Sequence, residues 1–275
     1  MTLFDAFRYD GKRVLVVGAA SGMGRATAEL ARDAGAEVVG MDFAPIDVAS
    51  VKAISMSLAD RASIDAAVQE LGGPVQVVFS CAGVADGTPG IEKINFIGHR
   101  YLINALLERD WLGAGASIGF ISSAAGLGWE SALPLLKEYL AVTDFDAASK
   151  WAIDHGKADY FWSKQAICAY VASEAMSFLK RGIRINAICP GPTDTPLAQA
   201  NKEMWLGFGA DYREEVGVEA ATPLEQAYPL VFLCSDAASA IAGITIVTDA
   251  GYFSAAVTEA FPAATPIANF LLGRV

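Results

Sequence analysis

The chain has 275 residues, 53% of which are hydrophobic, and a formal net charge of −11. This length and apolar content suffice for one sizeable core, so we expect a single domain over residues 1–275. The negative charge argues against binding to nucleic acids or anionic membranes, because phosphate groups attract clustered lysine and arginine side chains.

Short apolar segments rich in β-branched residues alternate with segments of helical length. The six predicted strands are residues 14–17, 38–41, 75–79, 117–122, 183–188 and 245–247. This alternation predicts an α/β fold, a doubly wound (Rossmann) parallel sheet with helices on both faces. Ligands of such sheets bind beyond the carboxyl ends of the strands, and five groups of residues each follow a strand: Gly18, Asp42, Ala82-Gly83, Ser123 and Pro190-Gly191.

The first predicted strand ends in a glycine-rich turn that leads directly into a helix-like segment. The turn contains Gly18, Ser21, Gly22, Met23 and Gly24. Free backbone N–H groups and the positive end of the helix dipole suit a pyrophosphate there, and glycines allow its close approach. A tight turn without a ligand is the alternative.

The second predicted strand ends in Asp42, at the distance from the glycine turn where a carboxylate binds the adenosine ribose of a dinucleotide. Such a carboxylate accepts hydrogen bonds from both ribose hydroxyls and repels a 2′-phosphate. No lysine or arginine follows, since the next residues are Phe43 and Ala44. The predicted cofactor is therefore NAD rather than NADP.

Tyr160 and Lys164 are four positions apart in a helix-like segment. Positions i and i+4 lie on one helix face, so the lysine charge is expected to favour ionisation of the phenol. This pair could transfer a proton, although the spacing alone is common and says little.

Taken in order, these motifs resemble the short-chain dehydrogenase/reductase family over about residues 11–251. The family pattern is Thr-Gly-x-x-x-Gly-x-Gly, a strand end Asn-Asn-Ala-Gly, a helix Asn, a Ser and Tyr-x-x-x-Lys. Here Ser80-Cys81 replaces the two asparagines, and Ser57-Leu58 lies where many members carry an aspartate before the residue that covers adenine. The cofactor-binding residues implied by the resemblance are Gly18, Ser21, Gly22, Met23, Gly24, Asp42, Phe43, Ser57, Leu58, Cys81, Ala82, Gly83, Tyr160, Lys164, Pro190, Gly191, Thr193 and Thr195.

The resemblance also implies a catalytic set of Asn95, Ser123, Tyr160 and Lys164. Tyr160 would exchange the substrate proton while a hydride passes to or from the nicotinamide. Lys164 would lower the pKa of Tyr160 and bind the nicotinamide ribose, Ser123 would orient the substrate oxygen, and Asn95 would hold a water linked to Lys164.

Ser123 and Tyr160 are farther apart than in most members of the family, which indicates an insertion near residues 129–159. Its aromatic and leucine residues predict either a packing or interface helix or an apolar wall over the substrate. The insertion could also block the helix pairing by which many relatives form tetramers. Together with the Pro-Gly-x-Thr-x-Thr-Pro-Leu stretch, it resembles the bacterial 3-alpha-hydroxysteroid dehydrogenase/carbonyl reductase branch.

Two further segments are predicted, a substrate loop near residues 196–218 and an apolar C-terminal tail near residues 256–275. The loop favours a bulky, uncharged apolar alcohol or ketone of the steroid, terpenoid or aryl carbonyl class. The tail either packs on its own subunit or a partner, or closes the site of a neighbour. We expect a homodimer or a homotetramer.

The cysteines Cys81, Cys168, Cys189 and Cys234 show no Cys-x-x-Cys spacing, and the chain has only two histidines. This predicts neither disulfides nor a metal site, and the cysteines should be small buried residues. Cys81 is the exception, because it lies at a strand end that should face the cofactor. Residues 1–10 lack a basic segment followed by an apolar stretch, and no apolar run of about 18 residues occurs, so we expect a cytoplasmic protein.

Three functions are compatible with these motifs. The first is an NAD-dependent secondary alcohol dehydrogenase/ketone reductase. The second is a nucleotide-binding scaffold protein without turnover, and the third is a lyase or epimerase that uses NAD transiently. The joint presence of four residues, Asn95, Ser123, Tyr160 and Lys164, counts against the scaffold protein and favours the first function.

Overall fold

The computed structural model describes residues 2–274, so Met1 and Val275, the ends of the predicted domain and tail, lie outside it. Within that range a parallel sheet forms in the order β3-β2-β1-β4-β5-β6-β7, which confirms the predicted fold class. Its strands are β1 Arg13–Val17, β2 Glu37–Asp42, β3 Val51–Ser55, β4 Val77–Ser80, β5 Ser117–Ile121, β6 Arg184–Pro190 and β7 Thr245–Thr248.

Helices cover both faces of the sheet and add a group beyond its carboxyl edge. The α-helices are α1 Gly22–Asp33, α2 Arg61–Leu71, α3 Gly98–Glu108, α4 Leu133–Ala141, α5 Phe145–Asp154, α6 Tyr160–Lys180, α7 Pro196–Ala200, α8 Lys202–Trp205, α9 Ala210–Val216, α10 Pro223–Cys234, α11 Tyr252–Val257 and α12 Thr265–Leu271. A π-helical turn, Lys93–Ile97, leads into α3, and short 3-10 turns lie at Asp5–Phe7, Ala124–Gly126, Trp129–Ala132, Asp236–Ala238 and Pro262–Ala264. No helix within residues 2–274 is long and apolar enough to span a membrane.

The strand β3 was missing from the six strands predicted above. It lies at the edge of the sheet, paired with β2 alone, and of its five residues only Ile54 is buried. An edge strand needs no continuous apolar run, and Lys52 on its exposed side is typical of edges that avoid further pairing. The short apolar run from which the other strands were predicted is therefore weak in β3.

The order of the strands indicates where on the sheet a ligand would bind. β1 lies between β2 and β4, so the chain runs outward through β2 and β3 and then crosses back to β4. A crevice opens at the carboxyl ends where the direction of winding reverses, and ligands of doubly wound sheets bind there. The glycine turn follows β1 and Ala82-Gly83 follows β4, so both motifs border this crevice.

The insertion packs on the sheet layer that contains α3 and α6. Leu136 and Tyr139 of α4 and Phe145 of α5 are almost fully buried in the larger of the two main hydrophobic clusters. The Tyr139 ring lies 5.0 Å from the ring of Trp151 and 6.0 Å from that of Trp162, centroid to centroid. Of the two predicted roles, the structure supports the packing role.

Candidate active site

The glycine turn after β1 is closely packed. A Cβ atom on Gly24 would lie 2.0 Å from the carbonyl oxygen of Gly18, and one on Gly18 would lie 2.6 Å from the backbone nitrogen of Ala82. Gly18 also has a φ of +89°, which only glycine adopts readily. The turn therefore requires glycine at both positions.

Helix α1 begins at Gly22 with Ser21 as its N-cap residue, and the Ser21 side chain makes no capping hydrogen bond. The first N–H groups of a helix have no partner within the helix. These groups and the helix dipole create a site for an anion beside the turn. The predicted residues Gly22, Met23 and Gly24 all lie in this first turn.

The Asp42 carboxylate is held beside the glycine turn. Its Oδ2 accepts a hydrogen bond from the Ala20 N–H and its Oδ1 from the Ala44 N–H, both at 3.0 Å. Phe43 is 78% exposed next to it. The carboxylate is thus fixed at the end of β2, on the side of the crevice where the turn lies.

The two residues predicted to contact adenine differ in exposure. Ser57 is partly buried and its N–H donates to the Ser63 hydroxyl at 2.9 Å. Leu58 is only 5% exposed and belongs to the hydrophobic core. Contact of either with adenine stays a prediction.

Tyr160 is the first residue of α6, and two carboxylates bind the start of this helix. The Asp159 side chain accepts from the Trp162 N–H at 2.7 Å, and the Asp86 Oδ1 accepts from the Tyr160 N–H at 3.1 Å. Both positions are favourable for an acidic residue, because the helix dipole is positive there. Asp86 thereby joins the loop after β4 to the backbone of Tyr160.

Lys164 lies one turn further along α6, only 5% exposed, with its Nζ 5.5 Å from the centroid of the Tyr160 ring. Its Nζ donates to the Ile121 carbonyl at the end of β5, at 3.2 Å. Ser123 follows β5, and its hydroxyl accepts from the Ala125 N–H at 3.2 Å. The structure thus brings Ser123, Tyr160 and Lys164 together at the carboxyl edge of the sheet.

Burial governs the proton affinities of this pair. It raises the pKa of Tyr160 to about 12, and a side-chain hydrogen bond with Ser123 opposes that rise. Burial also lowers the pKa of Lys164 to about 8. Desolvation thus disfavours both charged forms in the protein without a cofactor, and the lowering of the Tyr160 pKa by Lys164 stays a prediction.

Asn95 lies in the π-helical turn before α3, a kind of irregularity that is frequent at functional sites. Its Oδ1 accepts from the Val84 N–H at 2.8 Å, and its Nδ2 donates to the Ser163 hydroxyl at 3.1 Å. A Cβ on Gly83 would lie 3.4 Å from both Asn95 Oδ1 and Lys164 Nζ. Asn95 and Lys164 therefore flank Gly83, and the water predicted between them stays a prediction.

The loop after β6 reaches back to the glycine turn. The Thr195 hydroxyl caps α7 by accepting from the Ala198 N–H at 3.1 Å, and the Thr193 hydroxyl donates to the Gly191 carbonyl at 3.0 Å. A Cβ on Gly22 would touch the Thr195 side chain at 3.4 Å. The predicted nicotinamide-side residues are thus adjacent to the predicted pyrophosphate site.

A cavity of about 330 Å³ joins these groups. Of the predicted site residues, those that line it are Met23, Cys81, Gly83, Ser123, Tyr160, Lys164, Pro190, Gly191, Thr193 and Thr195. The loop near residues 196–218 contributes Met204, Trp205 and Phe208, and the Trp205 ring lies 5.1 Å from the Tyr160 ring. No residue of the insertion lines the cavity within the described part of the chain, so the predicted apolar wall does not come from there.

The sequence reading missed several residues of the site. Asp86, Phe161 and three tail residues, Ile267, Phe270 and Leu271, line the cavity. The phenylalanine beside Tyr160 and the apolar spacing of residues 267, 270 and 271 were visible signals, since positions i, i+3 and i+4 share a helix face.

His99 was also missed. It is 1% exposed in α3, and its Nε2 lies 3.0 Å from the Ala82 carbonyl oxygen. Burial lowers the pKa of His99 to about 4, so the ring is neutral near pH 7 and can donate this hydrogen bond. It supports the strand end that carries Ala82 and Gly83.

Comparison with known proteins finds a matching family model, similar sequences and similar structures. A family model described as enoyl-(acyl carrier protein) reductase matches residues 18–253. Coniferyl-alcohol dehydrogenase of Pseudomonas sp. (strain HR199 / DSM 7063) is 29% identical over 253 residues, which cover 88% of this chain and 97% of that protein. The 3-alpha-hydroxysteroid dehydrogenase/carbonyl reductase of Comamonas testosteroni is 28% identical over 251 residues, or 86% of this chain and 95% of that protein. The crystal structure of the 3-alpha-hydroxysteroid dehydrogenase from Pseudomonas sp. B-0831 complexed with NADH has a TM-score of 0.72 and 26% identity, covering 90% of this chain and 99% of that one.

Proposed function

The chain belongs to the short-chain dehydrogenase/reductase family, and from that premise we propose that it is an NAD-dependent oxidoreductase that interconverts a bulky apolar secondary alcohol and its ketone. The observation that carries the proposal is the meeting of Ser123, Tyr160 and Lys164 at one cavity beside the glycine turn. The substrate class that we propose is a steroid, a terpenoid or an aryl carbonyl compound.

The crevice fits a nicotinamide dinucleotide. Gly18 and Gly24 allow the turn to pack backbone against backbone, and the N–H groups at the start of α1 beside it suit the pyrophosphate. Asp42 would accept the ribose hydroxyls, which favours NAD over NADP because a carboxylate repels a 2′-phosphate. The related 3-alpha-hydroxysteroid dehydrogenase was crystallised with NADH, which supports this choice. When bound, the cofactor supplies the hydride acceptor for alcohol oxidation and the hydride donor for ketone reduction.

Tyr160 would act as the general acid and base. With a pKa of about 12 its phenol is protonated near pH 7, which is the state that donates a proton to a ketone oxygen. In alcohol oxidation the same oxygen must accept a proton, and a hydrogen bond from the Ser123 hydroxyl stabilises the phenolate that does so. Ser123 can also bond the substrate oxygen and fix its position relative to Tyr160.

The walls of the cavity support an apolar substrate. Beyond Ser123, Tyr160 and Lys164, its lining is dominated by Leu197, Met204, Trp205, Phe208, Phe161 and the tail residues. Asp86 is the acidic residue of the lining. Moving a neutral hydrocarbon body from water into this cavity would therefore be favourable, because it removes apolar surface from water. An anionic group would lose its hydration and meet a carboxylate.

Absorbance of NADH on mixing the protein with NAD and a panel of cyclic and aryl secondary alcohols tests the proposal. Net NADH formation that depends on one of these alcohols supports it. Binding of NAD without NADH formation would instead favour a scaffold protein, and product without net NADH would favour a lyase or epimerase. The predicted homodimer or homotetramer is a separate proposal, which sedimentation equilibrium tests and a monomer would contradict.

A further inference from the structure

The last helix, α12, has two different faces. Ala264, just before its start, and Ala268 are buried against a small aromatic cluster. The adjoining face carries Ile267, Phe270 and Leu271, which line the cavity that contains Tyr160. The helix thus lies between the cluster and the cavity, as one wall of its own subunit's site.

The aromatic cluster holds this wall against the loop of residues 196–218. It consists of Phe208, Tyr212, Tyr252 and Phe261, whose neighbouring rings lie 5.1 to 5.4 Å apart in edge-to-face contacts. The Tyr212 hydroxyl donates to the Ala250 carbonyl at 3.0 Å, and the Thr265 hydroxyl donates to the Ala256 carbonyl at 3.2 Å. These contacts make the tail an ordered element.

The end of α12 rests in a socket formed by Gly128. A Cβ on Gly128 would lie 1.7 Å from the carbonyl oxygen of Leu271, so only glycine admits the tail there. Gly128 also has a φ of +73°. Three residues further on, Ser131 packs against Gly273. Gly128 and Ser131, which lie at the start of the insertion, therefore anchor the tail, although no described residue of the insertion lines the cavity.

Two phenylalanines form the outer rim of the cavity. Phe161 and Phe270 meet edge to face with ring centroids 6.2 Å apart, and they are 48% and 62% exposed. Both also line the cavity, whereas Trp205 covers its inner end at Tyr160. Half of each rim ring is thus free to contact an apolar group that extends outward from the reacting carbon.

We propose that α12 is a specificity element, in which Phe270, together with Phe161, binds the end of an elongated substrate that lies farthest from its reacting carbon. This rests on the proposed function, since the reacting carbon is located by Ser123 and Tyr160. The distal group is apolar and uncharged, because the rim offers two aromatic rings, whereas the cationic side chain of the lining, Lys164, lies beside Tyr160.

Binding of a one-ring and a two-ring ketone tests the proposal on the full chain. Cyclohexanone and 4-cyclohexylcyclohexanone are titrated by calorimetry in the presence of NAD, a combination that cannot react. The wild-type protein should prefer the two-ring compound. Phe270→Ala should lower that preference about tenfold, which corresponds to about 1.4 kcal/mol. Phe4→Ala, which removes a ring that is 77% exposed elsewhere on the surface, should leave it unchanged.

A second test variant displaces the tail without altering a rim residue, and it has its own control. Gly128→Ala should lower the preference as Phe270→Ala does, because the new methyl group collides with the Leu271 carbonyl. Gly156→Ala is the matched control, since Gly156 also has a positive φ, +62°, but has no atom within 4 Å of its Cβ position. It should keep the wild-type preference.

Initial rates of NADH formation from the corresponding alcohols separate this inference from the proposed function. Loss of the two-ring preference in both test variants supports the role of α12, even if no alcohol yields NADH, in which case the proposed function alone fails. A wild-type protein without the preference, or a Phe270→Ala variant that retains it, overturns the role of α12 even when NADH forms.

Discussion

Replacement of Gly24 by alanine tests the packing of the glycine turn, because two effects of known sign oppose each other. Gly24 is the third residue of α1, and in a helix alanine is favoured over glycine by about 1 kcal/mol. The new Cβ, however, would lie 2.0 Å from the carbonyl oxygen and 2.7 Å from the carbonyl carbon of Gly18. Both are backbone atoms, which cannot turn away as the end of a flexible side chain can.

The size of the effect follows from the space around Gly18. An ordinary contact requires about 3.4 Å, so Gly18 would have to move by more than 1 Å, and its own Cβ position is already only 2.6 Å from Ala82 N on the other side. Overpacking of this kind costs about 3 kcal/mol at the upper end of its usual range. After the gain in helix propensity, we expect the free energy of unfolding to fall by about 2 kcal/mol.

Urea denaturation measures that change, and fluorescence titration with NADH measures the cofactor site, where we expect a loss of affinity of about tenfold or more. Gly113→Ala is the control, because Gly113 has open space around its Cβ position and no positive φ. A Gly24→Ala protein that is about 1 kcal/mol more stable and binds NADH normally would refute the reasoning, since helix propensity would then be the only effect.

Further predictions concern the acid/base group, the ribose site and the buried histidine. Tyr160→Phe should lower kcat by about 10²-fold or more while leaving NADH affinity within about twofold, and an active variant in steady-state assays would exclude Tyr160 as the proton donor. Asp42→Ala should reduce the preference for NAD over NADP, measured as the ratio of their kcat/KM values; an unchanged ratio would place ribose recognition elsewhere. With the pKa of Tyr160 raised to about 12, alcohol oxidation needs the rare phenolate, so its kcat/KM should rise with pH between about 6 and 10, whereas ketone reduction should not, and initial rates in both directions decide this. Burial lowers the pKa of His99 to about 4. Below about pH 6.5 the unfolded chain therefore binds a proton that the folded chain excludes. The free energy of unfolding should fall by up to about 3 kcal/mol between pH 6.5 and pH 4. Urea denaturation at both pH values should show a smaller fall for His99→Gln.

Much of the architecture followed from local signals in the sequence. The buried strands could be predicted because both of their faces are covered, which demands continuous apolar runs, whereas the edge strand β3 is open to solvent and carries Lys52. The glycine turn could be predicted because Gly18 and Gly24 are required by the backbone itself. Both successes concern requirements that act within a few residues of the chain.

The parts that escaped prediction depend on contacts distant in sequence. Phe270 reaches the cavity only because the tail folds back to Gly128, and nothing in the local sequence of either residue signals that contact. The effect of burial on the pKa of Tyr160 also escaped prediction: in the protein without a cofactor, burial raises it to about 12. Spacing revealed the neighbouring Lys164, but it could not reveal the burial that raises the pKa of Tyr160 and lowers that of Lys164.

The ring cluster of Phe208, Tyr212, Tyr252 and Phe261 has a consequence for redesign. It joins two stretches of chain, residues 208–212 and 252–261, whose neighbours line the cavity. If the loop alone were replaced by that of a homologue, its aromatic side chains would not match Tyr252 and Phe261. The native C-terminal segment would then lose the contacts that hold it. The two stretches should therefore be exchanged together, as one interchangeable cassette, in any attempt to graft a new selectivity onto this scaffold.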